Sequence, residues 1–304
     1  MTAEPTVPSQ APGAATHSWK VGNVTVTSVV ENQTEQIPPE FFFPAASAVG
    51  VAEHPWLVPD FADDEGRIAL RVQAFVIDEP GRRTLVDPCV GNGKTRTLPW
   101  FHQQEWPFME RFGDAGFSPD TVDQVVHTHL HADHVGWDTH LDGDTWVPTF
   151  TRARHLYTER ELDHAASDDG AGGPGPADLY IDSVAPIVAA GLADVVREDA
   201  DLGGSLRLEP APGHSPGHVA LWIESDGEAA VVTGDTLHHP VQCAQPGWGF
   251  LDDHDAALAL ETRRRLLDRV ARSRALLFGT HFPTRPAGRI EVDGDGWRFT
   301  PVDA

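Results

Sequence analysis

The sequence has few basic residues for its length, and this shortage limits its partners. Its 304 residues contain 22 lysines and arginines against 46 aspartates and glutamates, which gives a formal net charge of −24. Because such a surface repels phosphate backbones and anionic lipids, we expect neither nucleic acid nor a membrane as a partner. The charge otherwise predicts only a well-solvated surface.

Cysteines and long apolar runs are also scarce. The two cysteines, Cys89 and Cys243, are too few for a disulfide framework in a chain of this length, and they suit a reducing cytosol. For Cys89, packing as a small buried side chain is favoured over a reactive thiol. No apolar run reaches the roughly 20 residues that span a bilayer, and the start of the chain lacks the features of a signal peptide. We therefore expect a cytoplasmic protein.

The order of the segments predicts one large domain. Residues 1–18 are rich in proline, alanine and threonine, and we expect a flexible tail or an arm that packs on a partner subunit. Residues 19–304 alternate strand-like with helical segments, which fits a single α/β sandwich better than two domains. Residues 33–65 are irregular and rich in proline and aromatic residues, so they form either a lid over a site or a seal at the core edge. A helix is predicted over residues 101–112.

The strongest chemical signal is the motif His-x-His-x-Asp-His at residues 129–134, directly after the apolar run 122–126. On a helix, His129 and His131 would point in nearly opposite directions and could not share an ion. In an extended segment, positions 129, 131 and 133 return to the same side, and a turn after them can bring His134 around. The spacing therefore predicts a loop at a strand end that wraps around metal.

Three further segments place a metal-type residue just beyond a predicted strand. His214 lies in Gly-His-Ser-Pro-Gly-His, Asp235 in Gly-Asp-Thr and His281 in Gly-Thr-His-Phe. Loops from a rigid scaffold commonly converge at such strand ends. We therefore expect these residues to join the first motif in one site.

Taken in this order, the four motifs resemble those of the metallo-β-lactamase-fold superfamily over about residues 19–297. The chain is most similar to the branch that contains quorum-quenching lactonases and methyl-parathion-type hydrolases. The resemblance implies a four-layer αββα sandwich with a two-metal site at one edge of the facing sheets. It also implies a ligand set in which the first ion is held by His129, His131 and His214, the second by Asp133, His134 and His281, and both by a bridging Asp235.

This set of five imidazoles and two carboxylates suits two divalent ions. Zinc is the preferred ion for nitrogen and oxygen ligands, with iron, manganese and cobalt left open. Two adjacent dications lower the pKa of a bridging water and supply a hydroxide near neutral pH, so hydrolysis is the expected reaction. Asp133 or a nearby histidine would then return a proton to the leaving alkoxide. We place His127 in the core or behind the ligands, because both ions already have their protein ligands.

One position departs from the best-known relatives. In the related acyl-homoserine lactonases, a tyrosine contacts the substrate carbonyl at about the place where this chain has His238. We expect His238 or its neighbour His239 to take over orientation or protonation of the leaving group. The departure argues against an acyl-homoserine-lactone substrate.

Aromatic residues near the motifs predict an apolar pocket for a small neutral molecule. The predicted pocket residues are Phe41, Phe42, Phe43, Trp56, Trp137, Trp248 and Phe250. For any one of these rings, a place in the core is an equal alternative.

The leading hypothesis is a dinuclear metal-dependent hydrolase whose bridging hydroxide opens a lactone or ester of a small apolar substrate. Phosphotriester hydrolysis is the nearest alternative, because the same hydroxide can attack phosphorus. An iron-dependent oxidoreductase is less favoured, since the seven-ligand set favours hydrolysis. A non-catalytic binding protein is least favoured, because every ligand position is filled. A homodimer is an expectation that comes from the resemblance alone.

Overall fold

The computed structural model describes residues 16–167 and 179–304. Its strands are, in chain order, β1 His17–Val21, β2 Val24–Ile37, β3 Ile68–Glu79, β4 Arg82–Val86, β5 Gln124–Val126, β6 Thr139–Asp142, β7 Thr145–Pro148, β8 Arg154–Thr158, β9 Ala193–Val196, β10 Asp201–Gly203, β11 Leu206–Pro210, β12 Val219–Ser225, β13 Glu228–Val232, β14 Leu276–Phe278, β15 Ala287–Asp293 and β16 Gly296–Pro301. The α-helices are α1 Ala48–Ala52, α2 Phe108–Asp114, α3 Glu159–Ala166, α4 Ala185–Ala189, α5 Val241–Ala244 and α6 Ala256–Ser273.

Two mixed sheets of seven strands each form the centre of the fold. The first has the order β1-β2-β3-β4-β5-β8-β9, and the second runs in chain order from β10 to β16. In the first sheet β4, β5, β8 and β9 are mutually parallel neighbours. In the second, β13 and β14 are the parallel pair. The loops that follow parallel neighbours leave a sheet at the same edge, and this places the chemistry-bearing loops together.

Apolar packing gives the order of the layers. Side chains of both sheets, such as Phe75 and Phe278, share one buried cluster between the sheets. The outer face of the first sheet packs on α2 through Phe108 and Phe112. The outer face of the second sheet packs on α6, for example through Leu267. The result is the predicted four-layer αββα sandwich. Among the described residues, no helix is long and apolar enough to cross a membrane.

Several boundaries differ from those predicted. His17 and Ser18, assigned to the tail, belong to β1, whereas residues 1–15 of the predicted arm lie outside the described residues. Strand β2 continues to Ile37, because it pairs with β3 beyond the point where the sequence turns irregular. The helix predicted over 101–112 starts only at Phe108, directly after Pro107.

Gly136 allows the metal-type motif to pack closely on a neighbouring loop. A Cβ at this position would lie 1.6 Å from the carbonyl oxygen of Val90. The Gly136 amide also donates a hydrogen bond of 2.7 Å to the carbonyl of Cys89. Since backbone atoms leave no room for a side chain, only glycine fits here.

We predict that Gly136→Ala lowers the free energy of unfolding by about 3 kcal/mol, because the new methyl group must displace backbone. The matched control is Gly113→Ala in α2, where a Cβ meets nothing within 4 Å. That substitution should be neutral or stabilising by up to about 1 kcal/mol. Urea denaturation of both variants provides the comparison, and equal stabilities would contradict the packing argument.

Candidate metal centre

Four strand ends deliver the metal-type residues to one edge of the sandwich. Residues 127–134 follow β5, Asp235 follows β13 and His281 follows β14, whereas His214 lies in the loop between β11 and β12. The seven predicted ligand residues form two neighbouring groups. The groups are His129, His131, His214 and Asp235, and Asp133, His134 and His281. Within each group, one ligand atom per residue lies within 4.8 Å of all the others.

Asp235 joins the two groups because each of its oxygens faces different histidines. Its Oδ2 lies 3.3 Å from His214 Nε2 and 3.7 Å from His129 Nε2. Its Oδ1 lies 3.4 Å from His134 Nε2 and 3.0 Å from His281 Nε2. This is the arrangement that a carboxylate shared by two ions requires.

The remaining two residues complete the groups. His131 places its Nδ1 3.0 Å from His214 Nε2. Asp133 places its Oδ1 3.7 Å from His134 Nε2 and its Oδ2 3.6 Å from His281 Nε2. Each group therefore brings imidazole nitrogens and carboxylate oxygens to a common point. These atoms are ligand types that Zn²⁺ accepts.

The outer nitrogen of several imidazoles lies beside an acceptor, which leaves the other nitrogen for an ion. His134 Nδ1 lies 3.1 Å from Asp87 Oδ2. His214 Nδ1 lies at hydrogen-bond distance, 3.1 Å, from Asp253 Oδ1. His281 Nδ1 donates to the Arg71 carbonyl at 2.7 Å.

The buried charges indicate that the centre fits a cation. Burial, reinforced by neighbouring imidazoles, lowers the pKa of His129 and His131 well below its usual value, so both are neutral, as ligands must be. Burial also acts to lower the pKa of His134, but the carboxylates of Asp235, Asp133 and Asp87 raise it well above the usual value. The same carboxylates would stabilise a divalent cation in place of that proton. His129 Nε2 and Asp235 Oδ1 are buried and make no hydrogen bond to any described residue.

Glu161 holds two of the site loops together, a role that sequence spacing does not indicate. This buried side chain of α3 accepts hydrogen bonds from the amides of Leu130 at 3.1 Å and Gly217 at 2.7 Å. It also accepts one from Ser215 Oγ at 2.6 Å. The motif loop and the His214 loop are thus fixed to one carboxylate.

His238 lies at the floor of the centre. Its ring stacks on Phe250 with centroids 3.8 Å apart, and its Nε2 lies 3.1 Å from Asp235 Oδ2. Burial lowers the pKa of His238 to about 4, so the ring is neutral near pH 7. Both ring nitrogens are buried, and neither makes a well-formed hydrogen bond to a described residue.

The two other histidines considered from the sequence lie outside both groups. His239 Nε2 lies 2.9 Å from the Phe61 carbonyl, so this ring is directed toward the segment 33–65. His127 Nε2 lies 2.8 Å from Asp138 Oδ2 in a separate buried cluster. There Asp138 also accepts hydrogen bonds from His155 Nδ1 and from Tyr157, at 3.0 and 3.1 Å.

A cavity of about 220 Å³ opens onto the two groups. Its floor contains His131, Asp133, His214, Asp235, His238 and His281. Its walls are formed by Asn32, Thr34, Phe41, Phe42, Leu70, Arg71, Val72, Leu98, Trp100, Phe101, Phe250, Leu251 and Asp252. Phe41, Phe42 and Phe250, all predicted from the sequence, therefore line the cavity.

The other four predicted pocket residues, Phe43, Trp56, Trp137 and Trp248, do not line this cavity. Trp137 turns into the core, where it stacks on Phe108 and donates a 2.6 Å hydrogen bond to Glu31. Phe43 is fully buried in the core of the second sheet. Trp56 and Trp248 pack, partly buried, against that same core. Closeness in sequence to a motif does not determine the direction of a ring.

Three wall residues missed from the sequence, Leu98, Trp100 and Phe101, belong to the loop before α2. Two buried basic side chains hold this loop in place. Lys94 Nζ donates to Thr139 Oγ1 at 2.6 Å, and Arg96 donates to both oxygens of Asp182 at 2.6 and 3.0 Å. The sequence predicts a helix over 101–112 in place of the end of this loop. No apolar periodicity in the sequence indicates the loop.

Comparisons with known proteins agree with this geometry. The family described as Metallo-beta-lactamase superfamily matches residues 67–281. N-acyl homoserine lactonase AttM of Rhizobium radiobacter is 29% identical over 199 residues, which are 58% of this chain and 70% of the relative. The crystal structure of hydrolase AbOPH in the beta lactamase superfamily has a TM-score of 0.81 at 21% identity, over 97% of this chain and 99% of that one. AidC, a dizinc quorum-quenching lactonase, has a TM-score of 0.77 at 19% identity, over 95% and 98%. At these identities, the two structures show a shared fold.

We predict that Asp87→Asn lowers metal affinity roughly 10- to 100-fold, because an amide cannot replace the carboxylate behind His134. The matched control is Asp252→Asn, a half-buried residue that lines the cavity beside the centre. Metal content after dialysis against graded chelator gives the affinities. Equal metal loss from both variants and the parent would show that Asp87 does not support the centre.

Proposed function

This chain belongs to the metallo-β-lactamase superfamily and is a metal-dependent hydrolase, and from that premise we propose that it opens a lactone or ester with two bound divalent ions. The observation that carries the proposal is the position of Asp235, whose two oxygens face separate imidazole pairs. A mononuclear site needs no such shared carboxylate. Members named as lactonases among the relatives support the substrate class.

We assign the first ion to His129, His131 and His214, the second to Asp133, His134 and His281, and both to Asp235. Zinc is the preferred ion for these ligands. When bound, the two ions supply an activated water near neutral pH and polarise the oxygen of the scissile bond.

The residues of the chain supply orientation and proton transfer. Of the two ligand carboxylates, Asp133 is the more exposed, at 16% of its side chain against 5% for Asp235, and it lines the cavity. It is therefore placed to return a proton to the leaving alkoxide. His238 lines the cavity floor, and neither of its ring nitrogens makes a well-formed hydrogen bond to a described residue, so we assign its N–H to donate a hydrogen bond to an oxygen of the substrate. This is the role that we assign in place of the tyrosine of related lactonases.

The cavity walls favour an acyl or alkyl group beside the reacting bond. Phe42 stacks on Phe250 with centroids 5.8 Å apart, and Phe41 meets Trp100 edge to face at 5.6 Å. These rings form an apolar side of the cavity. An apolar chain placed against them is removed from solvent, which contributes about 25 cal/mol per Å² buried.

A substrate panel tests the proposal. Purified protein loaded with Zn²⁺ should hydrolyse lactones with acyl or alkyl side groups, or aryl esters, and chelation should abolish this activity until Zn²⁺ is restored. The same panel includes phosphotriesters and β-lactams. Turnover of phosphotriesters alone would replace the proposed reaction with the phosphorus chemistry, and turnover of none of these compounds would reject it.

We predict that His238→Ala lowers kcat/KM roughly 10- to 100-fold with metal content unchanged, because one hydrogen bond to the reacting oxygen is lost. His239→Ala is the control, since it removes an equally buried imidazole whose ring nitrogens hydrogen-bond to the Phe61 carbonyl and the Val241 amide. The control should lose thermal stability and keep turnover per folded molecule. Unchanged turnover in His238→Ala would remove His238 from the mechanism.

A further inference from the structure

The side chain of Arg71 is a buried guanidinium in the cavity wall. Some of its N–H donors have no hydrogen-bond partner among the described residues. It lies on β3 opposite Gln33 of β2 and is 6% exposed. Its Nε and Nη2 donate to Gln33 Oε1 at 2.9 and 2.6 Å. Its Nη1 is buried and has no hydrogen-bond partner in the described parts of the chain. A guanidinium has five N–H donors, so Gln33 leaves most of this capacity unused.

The charge of Arg71 is also uncompensated. Within residues 16–167 and 179–304, its only side-chain partner is the neutral amide of Gln33. Burial, followed by the positive charge of Arg111, lowers the pKa of Arg71 to about 10, so the side chain remains a cation at neutral pH. A buried cation without a counter-charge is unfavourable, and an anion beside it would offset that cost.

The backbone fixes Arg71 beside the candidate metal centre. Its carbonyl accepts the Nδ1–H of His281 at 2.7 Å, and its amide donates to the His281 carbonyl at 3.0 Å. The half-buried acid of the wall, Asp252, lies instead near His214 and Asp253. The positive charge of the cavity wall thus lies beside His281, whereas the acidic side chain of the wall, Asp252, lies near His214.

We propose that Arg71 binds a carboxylate of the substrate, separated from the scissile ester or lactone bond by a short apolar chain. The inference rests on the proposed hydrolysis at the neighbouring centre and narrows its substrate class. The aromatic wall would hold the apolar chain while Arg71 holds its charged end. A guanidinium is suited to this task because its N–H groups match the two oxygens of a carboxylate.

Matched esters test this assignment. Mono-phenyl esters of glutaric, adipic and pimelic acid are compared with phenyl pentanoate, hexanoate and heptanoate, in which a methyl group replaces the carboxylate. The protein should prefer the best acidic ester roughly 10- to 100-fold in kcat/KM, the effect of one charge-assisted hydrogen-bonded pair. Arg71→Met should remove this preference, so that acidic and neutral esters of matched length react alike in that variant.

A second variant keeps the arginine and removes only its free charge. Gln33→Glu places a carboxylate where Arg71 Nε and Nη2 already donate, so the guanidinium gains an internal partner. We expect this variant to fold, to hydrolyse the neutral esters and to lose the preference for acidic esters. If Arg71→Met does not fold, Gln33→Glu decides the outcome.

Binding without turnover separates this inference from the proposed function. The mono-anilide of adipic acid should quench tryptophan fluorescence at concentrations at least tenfold lower than hexananilide does, in the parent and not in Gln33→Glu. If no ester is hydrolysed but this difference holds, the hydrolase proposal fails and the role of Arg71 stands. If acidic and neutral esters react equally in all proteins, hydrolysis stands and the role of Arg71 is overturned.

Discussion

The carboxylate of Asp235 faces two separate sets of imidazoles, and most of the buried polar structure around it holds those imidazoles in place. Its Oδ1 is close to His134 and His281, and its Oδ2 to His129 and His214. Burying so many polar groups without a compensating charge is unfavourable. Positive charge beside Asp235 would offset that cost, which supports the proposal that two divalent cations bind here.

Carboxylates behind the histidines orient the rings toward the centre. Asp87 lies behind His134, and Asp253 lies behind His214, so each ring keeps one nitrogen directed to the centre. Glu161 ties two of the loops to α3. In the cavity wall, the guanidinium of Arg71 is also incompletely satisfied, because its Nη1 has no hydrogen-bond partner among the described residues. We therefore look for a bound ligand where the network of buried hydrogen bonds is incomplete.

The local part of this architecture could be predicted from the sequence, and the long-range part only with the resemblance. The alternation through residues 129–134 indicates a strand-end metal loop by itself. The place of His281 among the ligands is predicted only from the order of the motifs. No local pattern links it to His134, which lies 147 positions earlier. Trp137, predicted in the pocket, lies instead in the core against Phe108 and Glu31, and no local pattern in the sequence gives the direction of its ring. Arg71 could not be predicted as a site residue, because a single basic residue in an apolar strand is typical of a solvated position.

The most direct test of this account is anomalous diffraction at the zinc edge from crystals of the zinc-loaded protein. We predict two peaks, one on each side of the Asp235 carboxylate, with His129, His131 and His214 around one and Asp133, His134 and His281 around the other. A single peak at this position, or a peak within the separate cluster of His127, Asp138 and His155, would contradict the dinuclear centre.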